Sequence, residues 1–124
     1  VLPHLAGKLT GNAVRVPTPN VSLAILSLTI KNTTGKDEVN AIMKEAALKG
    51  DLVEQIQYSF SNELVSSDLV GNPCSSIFDS PATIVSKDGK NIVLYVWYDN
   101  EYGYTRQVMR LAKQLSGVIR LRYY

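Results

Sequence analysis

The sequence predicts an α+β domain, an antiparallel or mixed sheet with helices packed on one face. Three observations predict it. The elements read in the order β-β-α-(α)-β-β-β-α, which is not a βαβ repeat. Val21 to Ile30 is strongly β-prone, and Ala82 to Ser86 with Ile92 to Tyr98 carries the clearest hairpin signal. No Gly-x-Gly-x-x-Gly follows a strand, so the chain has no dinucleotide-binding fold of its own. Neither an internal repeat nor a linker interrupts the 124 residues, which read as one domain over 1–124.

The elements follow in order. Residues 8–16 alternate loosely and predict a strand ending at Pro17, where Pro17 and Pro19 remove donors and stiffen the connection. Val21 to Ile30 has only Ser22, Ser27 and Thr29 as polar members, which predicts a central strand buried on both faces. Thr34, three residues before Asp37, suggests a capping-box variant. Val39, Ile42, Met43, Ala46 and Ala47 then share a helical face, and Gly50 stops the helix. Leu52, Val53 and Ile56 suggest a second short helical turn. Gly71-Asn72-Pro73 is a turn between two short apolar pieces, Leu69-Val70 and Ile77-Phe78. Ala82 to Ser86 and Ile92 to Tyr98 flank Asp88-Gly89, which favours a type I′ hairpin turn. Tyr104, Val108, Leu111, Ala112 and Leu115 share one face of a last helix, ended by Ser116-Gly117.

Composition excludes several classes. A net charge of +2 lacks the broad basic face of a nucleic-acid binder, and Arg120 and Arg122 read as a solvated tail. With one cysteine, Cys74, a disulfide framework and a Cys-rich zinc site are both excluded. No apolar run is long enough to span a bilayer, and Val1-Leu2-Pro3-His4 has neither a charged n-region nor a cleavage pattern. The simplest reading is a cytoplasmic chain, and its start without Met suggests a fragment.

Nucleophilic catalysis needs a nucleophile with a base in reach. The only histidine, His4, stands at the ragged start, and Cys74 follows a proline in a turn, so the pair makes a poor catalytic dyad. Arg15 is the best functional candidate. Its planar fork suits a phosphate, although a structural salt bridge fits the same position. Asn100 stands between a strand and a helix. It reads either as a plain N-cap or as an amide facing a ligand carboxamide. Tyr95, Trp97, Tyr98, Tyr102 and Tyr104 read as core or interface.

Three blocks carry a family resemblance. Lys8 to Ser22 contains Arg15-Val16-Pro17-Thr18-Pro19-Asn20-Val21-Ser22. Val65-Ser66-Ser67-Asp68 with Ser75-Ser76-Ile77-Phe78-Asp79 forms the second, and Trp97-Tyr98-Asp99-Asn100-Glu101-Tyr102-Gly103-Tyr104 the third. In this order they resemble the C-terminal part of the catalytic domain of phosphorylating glyceraldehyde-3-phosphate dehydrogenases. The resemblance implies an NAD-dependent oxidation of glyceraldehyde 3-phosphate to 1,3-bisphosphoglycerate. There a Cys thiolate activated by a His attacks the aldehyde, and inorganic phosphate cleaves the thioester. That Cys, that His and the nucleotide-binding domain have no counterpart in this chain, so it carries no catalytic residue and is expected to be inactive alone. The resemblance assigns Arg15 to substrate or inorganic phosphate and Asn100 to the nicotinamide carboxamide. It also implies a homotetramer, with neither nucleic acid nor membrane as a partner and no metal. NADP remains open as cofactor.

Departures from the family pattern are His4 for a usual Glu, Tyr102 for Trp or Phe, and Cys74 for an Arg. The runs Val21 to Leu26 and Leu94 to Trp97 lean toward the erythrose-4-phosphate dehydrogenase branch, whereas Ser75 to Asp79 is nearer the glyceraldehyde-3-phosphate type. A non-catalytic interaction module is the rival reading from another class.

Overall fold

The computed structural model describes residues 2–118. Its core is a mixed five-stranded sheet. The order is β1 (Ser22–Thr29), β5 (Asn91–Tyr98), β3 (Ser76–Asp79) and β2 (Ile56–Ser59), and β4 (Ile84–Val85) pairs with β5 beside that path. β5 is the hub. One edge pairs antiparallel with β1 along its whole length, from Ser22↔Tyr98 to Thr29↔Asn91. The other edge takes β4 at its start and β3 at its end, both antiparallel. Only β2 and β3 run parallel. This is the α+β arrangement the sequence predicts.

Strand alternation divides the core between the two sheet faces. On one face Phe78, Ile92 and Leu94 meet Val39 of α1 (Lys36–Leu48), with Met43 and Tyr58 packed against them. On the other, Ile77 and Trp97 pack with Leu69 from a short 3₁₀ turn (Ser66–Leu69) and with Val21. Ile77 and Phe78 are adjacent residues of one strand and both are fully buried, so β3 is the strand covered on both sides.

Several local expectations are corrected. Residues 8–16 form an exposed irregular segment rather than a strand, because alternation makes a strand only where a neighbour supplies ladder partners. The run from Val21 does form β1, but at the sheet edge. Its Leu23, Ile25, Leu26 and Leu28 are 36–58% exposed, and among the described residues only β5 pairs with it. Gly35, not Thr34, occupies the N-cap of α1, and the Thr34 hydroxyl instead donates to Glu38 (2.7 Å). Leu52 to Ile56 do form a single helical turn, with the Ile56 N–H donating to Leu52 O (2.9 Å), and it leads directly into β2.

The Asp88-Gly89 hairpin closes with a wider turn than type I′. Ser86 still pairs with Asn91, leaving four residues in the loop, and the Gly89 N–H donates to Ser86 O. Gly89 takes a positive φ of 69° whereas Asp88 does not, and type I′ needs both. The loop is also held from outside, since the Thr34 N–H donates to Gly89 O (2.9 Å).

The last helix, α2 (Tyr102–Leu115), ends as expected. Gly117 at φ 71° lets its own N–H reach Gln114 O and the Val118 N–H reach Lys113 O, the paired bonds of a Schellman cap. Its orientation is not what amphipathicity suggests. Tyr104, Val108, Leu111 and Leu115 are 44–80% exposed. The side turned to the body carries Gly103, Gln107 and Arg110. The Gln107 amide donates to the carbonyls of Glu54 and Pro73, and Arg110 pairs with Glu54 at 3.5 Å. No described helix is long and apolar enough to cross a membrane. Arg120 and Arg122 lie outside the described residues.

Candidate functional site

The β1–β5 register determines where the first and third sequence blocks meet. Because Ser22 faces Tyr98, the segment entering β1 and the segment leaving β5 emerge at the same end of the sheet. Arg15 and Asn100 belong to these two segments.

The entering segment is stiff. Pro17 and Pro19 each fix a backbone angle, and the Thr18 N–H donates to Val16 O (2.9 Å), closing a three-residue turn over Pro17. Asn20 then binds twice: its Oδ1 accepts from the Val21 N–H (2.7 Å) and its Nδ2 donates to Asp99. Val21 sits at φ 74°, a left-handed conformation that a β-branched residue rarely adopts. Such a residue costs about 1–3 kcal/mol and persists only where its surroundings over-determine it. Here they do, since its side chain is buried against Leu69 and Ile77. Arg15 itself is exposed and pairs with no described residue, which removes the salt-bridge reading from the described part of the chain.

The leaving segment is organised by Asp99. Its side chain is 2% exposed and accepts four hydrogen bonds. Oδ1 takes the N–H groups of Glu101 (2.9 Å) and Tyr102 (2.8 Å), and Oδ2 takes the Gly71 N–H (2.9 Å) and Asn20 Nδ2 (3.1 Å). Burial pushes the Asp99 carboxyl up, but the donors at Gly71, Tyr102, Glu101 and Asn20 outweigh it and hold the group below the usual carboxylate range. Asp99 therefore performs the capping expected of Asn100, and a carboxylate at a helix N-terminus is also favoured by the helix dipole. Relieved of that task, Asn100 is exposed, and its amide bonds to no described residue.

Sequence reasoning missed Asp99 and Asn20. The signal for the first was present, because Asp and Asn are equally good caps and only one position separates them. The signal for the second was an Asn directly before a β-prone run, a place where a short amide bonds local backbone.

Other candidates fall away. Cys74 is half-buried in the turn under α2; burial and, second, the Glu54 carboxylate push its thiol up, the reverse of nucleophile activation. His4 is exposed in a 3₁₀ turn (Pro3–Leu5), and no hydrogen bond joins it to Cys74. Among the described residues no cluster of His, Cys, Asp and Glu could hold a metal. A groove of about 450 Å³ opens beside α1, lined by residues such as Ile30, Val39, Ile42 and Leu94. It lies toward the Thr29–Asn91 end of the β1–β5 ladder, away from Arg15 and Asn100.

Known proteins match this pattern over nearly the whole chain. The family model described as "Glyceraldehyde 3-phosphate dehydrogenase, C-terminal domain" matches residues 1–100. A glyceraldehyde-3-phosphate dehydrogenase-like protein of Pseudomonas aeruginosa is 49% identical over 117 residues, covering 94% of this chain and 25% of that protein. The glyceraldehyde-3-phosphate dehydrogenase of Neurospora crassa is 46% identical over 95% of this chain and 34% of its own length. Glyceraldehyde-3-phosphate dehydrogenase 1 of Bacillus subtilis is 47% identical over 94% of this chain and 34% of its own length. The chain thus spans a quarter to a third of the length of these relatives. The matched blocks, the mixed sheet and the family match agree: the chain belongs to the glyceraldehyde-3-phosphate dehydrogenase C-terminal domain family.

Proposed function

We propose that this chain is the C-terminal portion of the catalytic domain of an NAD-dependent, phosphorylating glyceraldehyde-3-phosphate dehydrogenase. On this reading the nucleotide-binding domain and the Cys/His segment belong to the rest of the protein. The chain alone is inactive, and the intact enzyme works as a cytoplasmic homotetramer in glycolysis. The observation that carries the reading is the convergence of the Arg15 and Asn100 segments at one sheet end, joined by the Asn20–Asp99 bond.

Arg15 binds the phosphate of the phosphorylated aldose or inorganic phosphate. Its guanidinium is exposed and uncommitted to any described carboxylate, and a planar fork of N–H donors matches phosphate oxygens. The cofactor supplies the hydride acceptor when bound. Asn100 fits its carboxamide, because an exposed amide with no described partner offers one donor and one acceptor to a group of the same kind. Asp99 holds Asn100 by binding the two N–H groups that follow it.

The test is NADH formation by the intact protein that contains this chain, with glyceraldehyde 3-phosphate and then erythrose 4-phosphate, with and without inorganic phosphate. Phosphate-dependent turnover that prefers the first substrate is expected, with Arg15→Ala raising the KM for phosphate. Preference for the second moves the protein to the erythrose-4-phosphate branch. Absence of turnover with either substrate, and with NADP in place of NAD, removes the reading in favour of a non-catalytic module.

A further inference from the structure

We infer that Asn20 and Asp99 are positioning residues whose shared bond sets both phosphate binding at Arg15 and nicotinamide binding at Asn100; the inference rests on the functional reading above. Among the described residues, both bond only to backbone N–H groups and to each other. Their role follows from what they hold.

Arg15 reaches its place through the strap Val16 to Val21. Two prolines and the turn over Pro17 limit the strap's internal freedom, so the backbone that carries Arg15 follows the end of the strap. That end is Asn20. One side of its amide closes on the Val21 N–H and the other donates to Asp99. Val21 adds a second constraint, because a buried left-handed valine has no slack to accommodate a shifted Asn20.

The same carboxylate brackets Asn100. Asp99 precedes it, and the two N–H groups bound by Oδ1 belong to the residues that follow it. The Gly71 bond on Oδ2 ties the carboxylate to a third, separate segment, so Asp99 has a fixed reference outside both ligand-binding segments. Removing the Asn20 amide therefore loosens the strap on one side and leaves Oδ2 short of a donor on the other. Both ligand contacts lose definition together, and misplacement of a binding group is costly even when the group itself is intact.

The experiment uses the intact protein and compares Asn20→Ala, Asn20→Asp, Arg15→Ala, Asn100→Ala and a core control, Val39→Ala. KM for inorganic phosphate, KM for NAD, kcat and Tm are measured for each. Asn20→Ala is expected to raise both KM values about fivefold, on the scale of one hydrogen bond, and to change kcat less. Asn20→Asp keeps the volume but sets a carboxylate against Asp99, and it should show the same paired rise. The double variant Asn20→Ala/Asn100→Ala should raise the KM for NAD no further than Asn100→Ala alone. Val39→Ala should lower Tm while leaving both KM values unchanged, which separates positioning from plain stability. The inference is overturned if both Asn20 variants lower Tm without moving either KM, or move one KM only. If Arg15→Ala and Asn100→Ala leave both KM values unchanged, the functional reading itself fails and the inference falls with it.

Discussion

Asn20 donates from Nδ2 to Asp99 Oδ2 at 3.1 Å, joining two residues 79 positions apart at the point where the chain enters β1 and leaves β5. The bond lies beyond the last ladder pair, Ser22↔Tyr98, and extends the strand pairing by one side-chain contact into the loops. Its acceptor takes four donors from three segments.

This makes Asp99 a stability element with a defined pH signature. Its folded carboxyl is held below the value it has in the unfolded chain, where an aspartate titrates at about 3.9. A depressed folded pKa contributes stability that is fully present above the unfolded pKa and is lost as pH falls through the folded one. Asp99→Asn should thus destabilise the protein at pH 7 and flatten the fall of the urea midpoint below about pH 4. Asp99→Ala should cost more, on the order of 2–4 kcal/mol, because it removes a cap and strands buried donors together. Parallel acid-denaturation curves for the wild type and Asp99→Asn would remove the carboxylate from this role.

Glycine substitutions test the close packing around the site. Alanine normally stabilises a helix relative to glycine by about 0.8–1.0 kcal/mol. Gly103, in the first turn of α2, should reverse that sign. A Cβ there would stand 2.8 Å from the Cys74 carbonyl oxygen, a backbone atom that cannot swing aside. Gly89→Ala meets Thr34 O at 2.7 Å and also carries a positive φ of 69°. Gly50 has a positive φ of 81° with open space around it, so Gly50→Ala isolates the conformational cost of about 1–2 kcal/mol. The expected order of Tm is wild type, then Gly50→Ala, then Gly89→Ala, with Gly103→Ala below wild type. An increase in Tm for Gly103→Ala would show that α2 does not pack against the Cys74 turn as described.

Where the sequence was legible, local chemistry and tertiary packing agreed. The Asp88-Gly89 hairpin signal before Ile92 to Tyr98 predicted β5, and Ser116-Gly117 predicted the end of α2, where the left-handed Gly117 closes a Schellman cap. Errors arose where the deciding partner was distant. Leu23, Ile25, Leu26 and Leu28 look like a doubly buried strand, yet burial depends on what covers them, and β1 lies at an edge here. Residues 8–16 carry a strand pattern without a described neighbour to pair with. The family resemblance singles out Arg15 and Asn100, and the structure leaves both exposed, with no hydrogen bond or ion pair to a described residue. The Asp99 hub was not legible, because its donors at Asn20 and Gly71 come from segments that no local pattern connects.

Cys74 gives the clearest test of what the site is not. A thiol becomes a nucleophile when its surroundings favour the thiolate. Here burial acts first and the Glu54 carboxylate second, and both raise the pKa, so Cys74 should react with iodoacetamide more slowly than a free cysteine at pH 8. Glu54→Gln removes the smaller cause and releases Arg110 from its 3.5 Å pairing, so alkylation should speed up modestly. Unfolding in urea removes both causes and should accelerate it further. A rate in the native protein above that of free cysteine would mean an activated thiolate, and Cys74 would then return as a candidate nucleophile despite its turn position. The slow rate expected is what the proposed reading requires, since that reading assigns the nucleophile to another part of the intact protein.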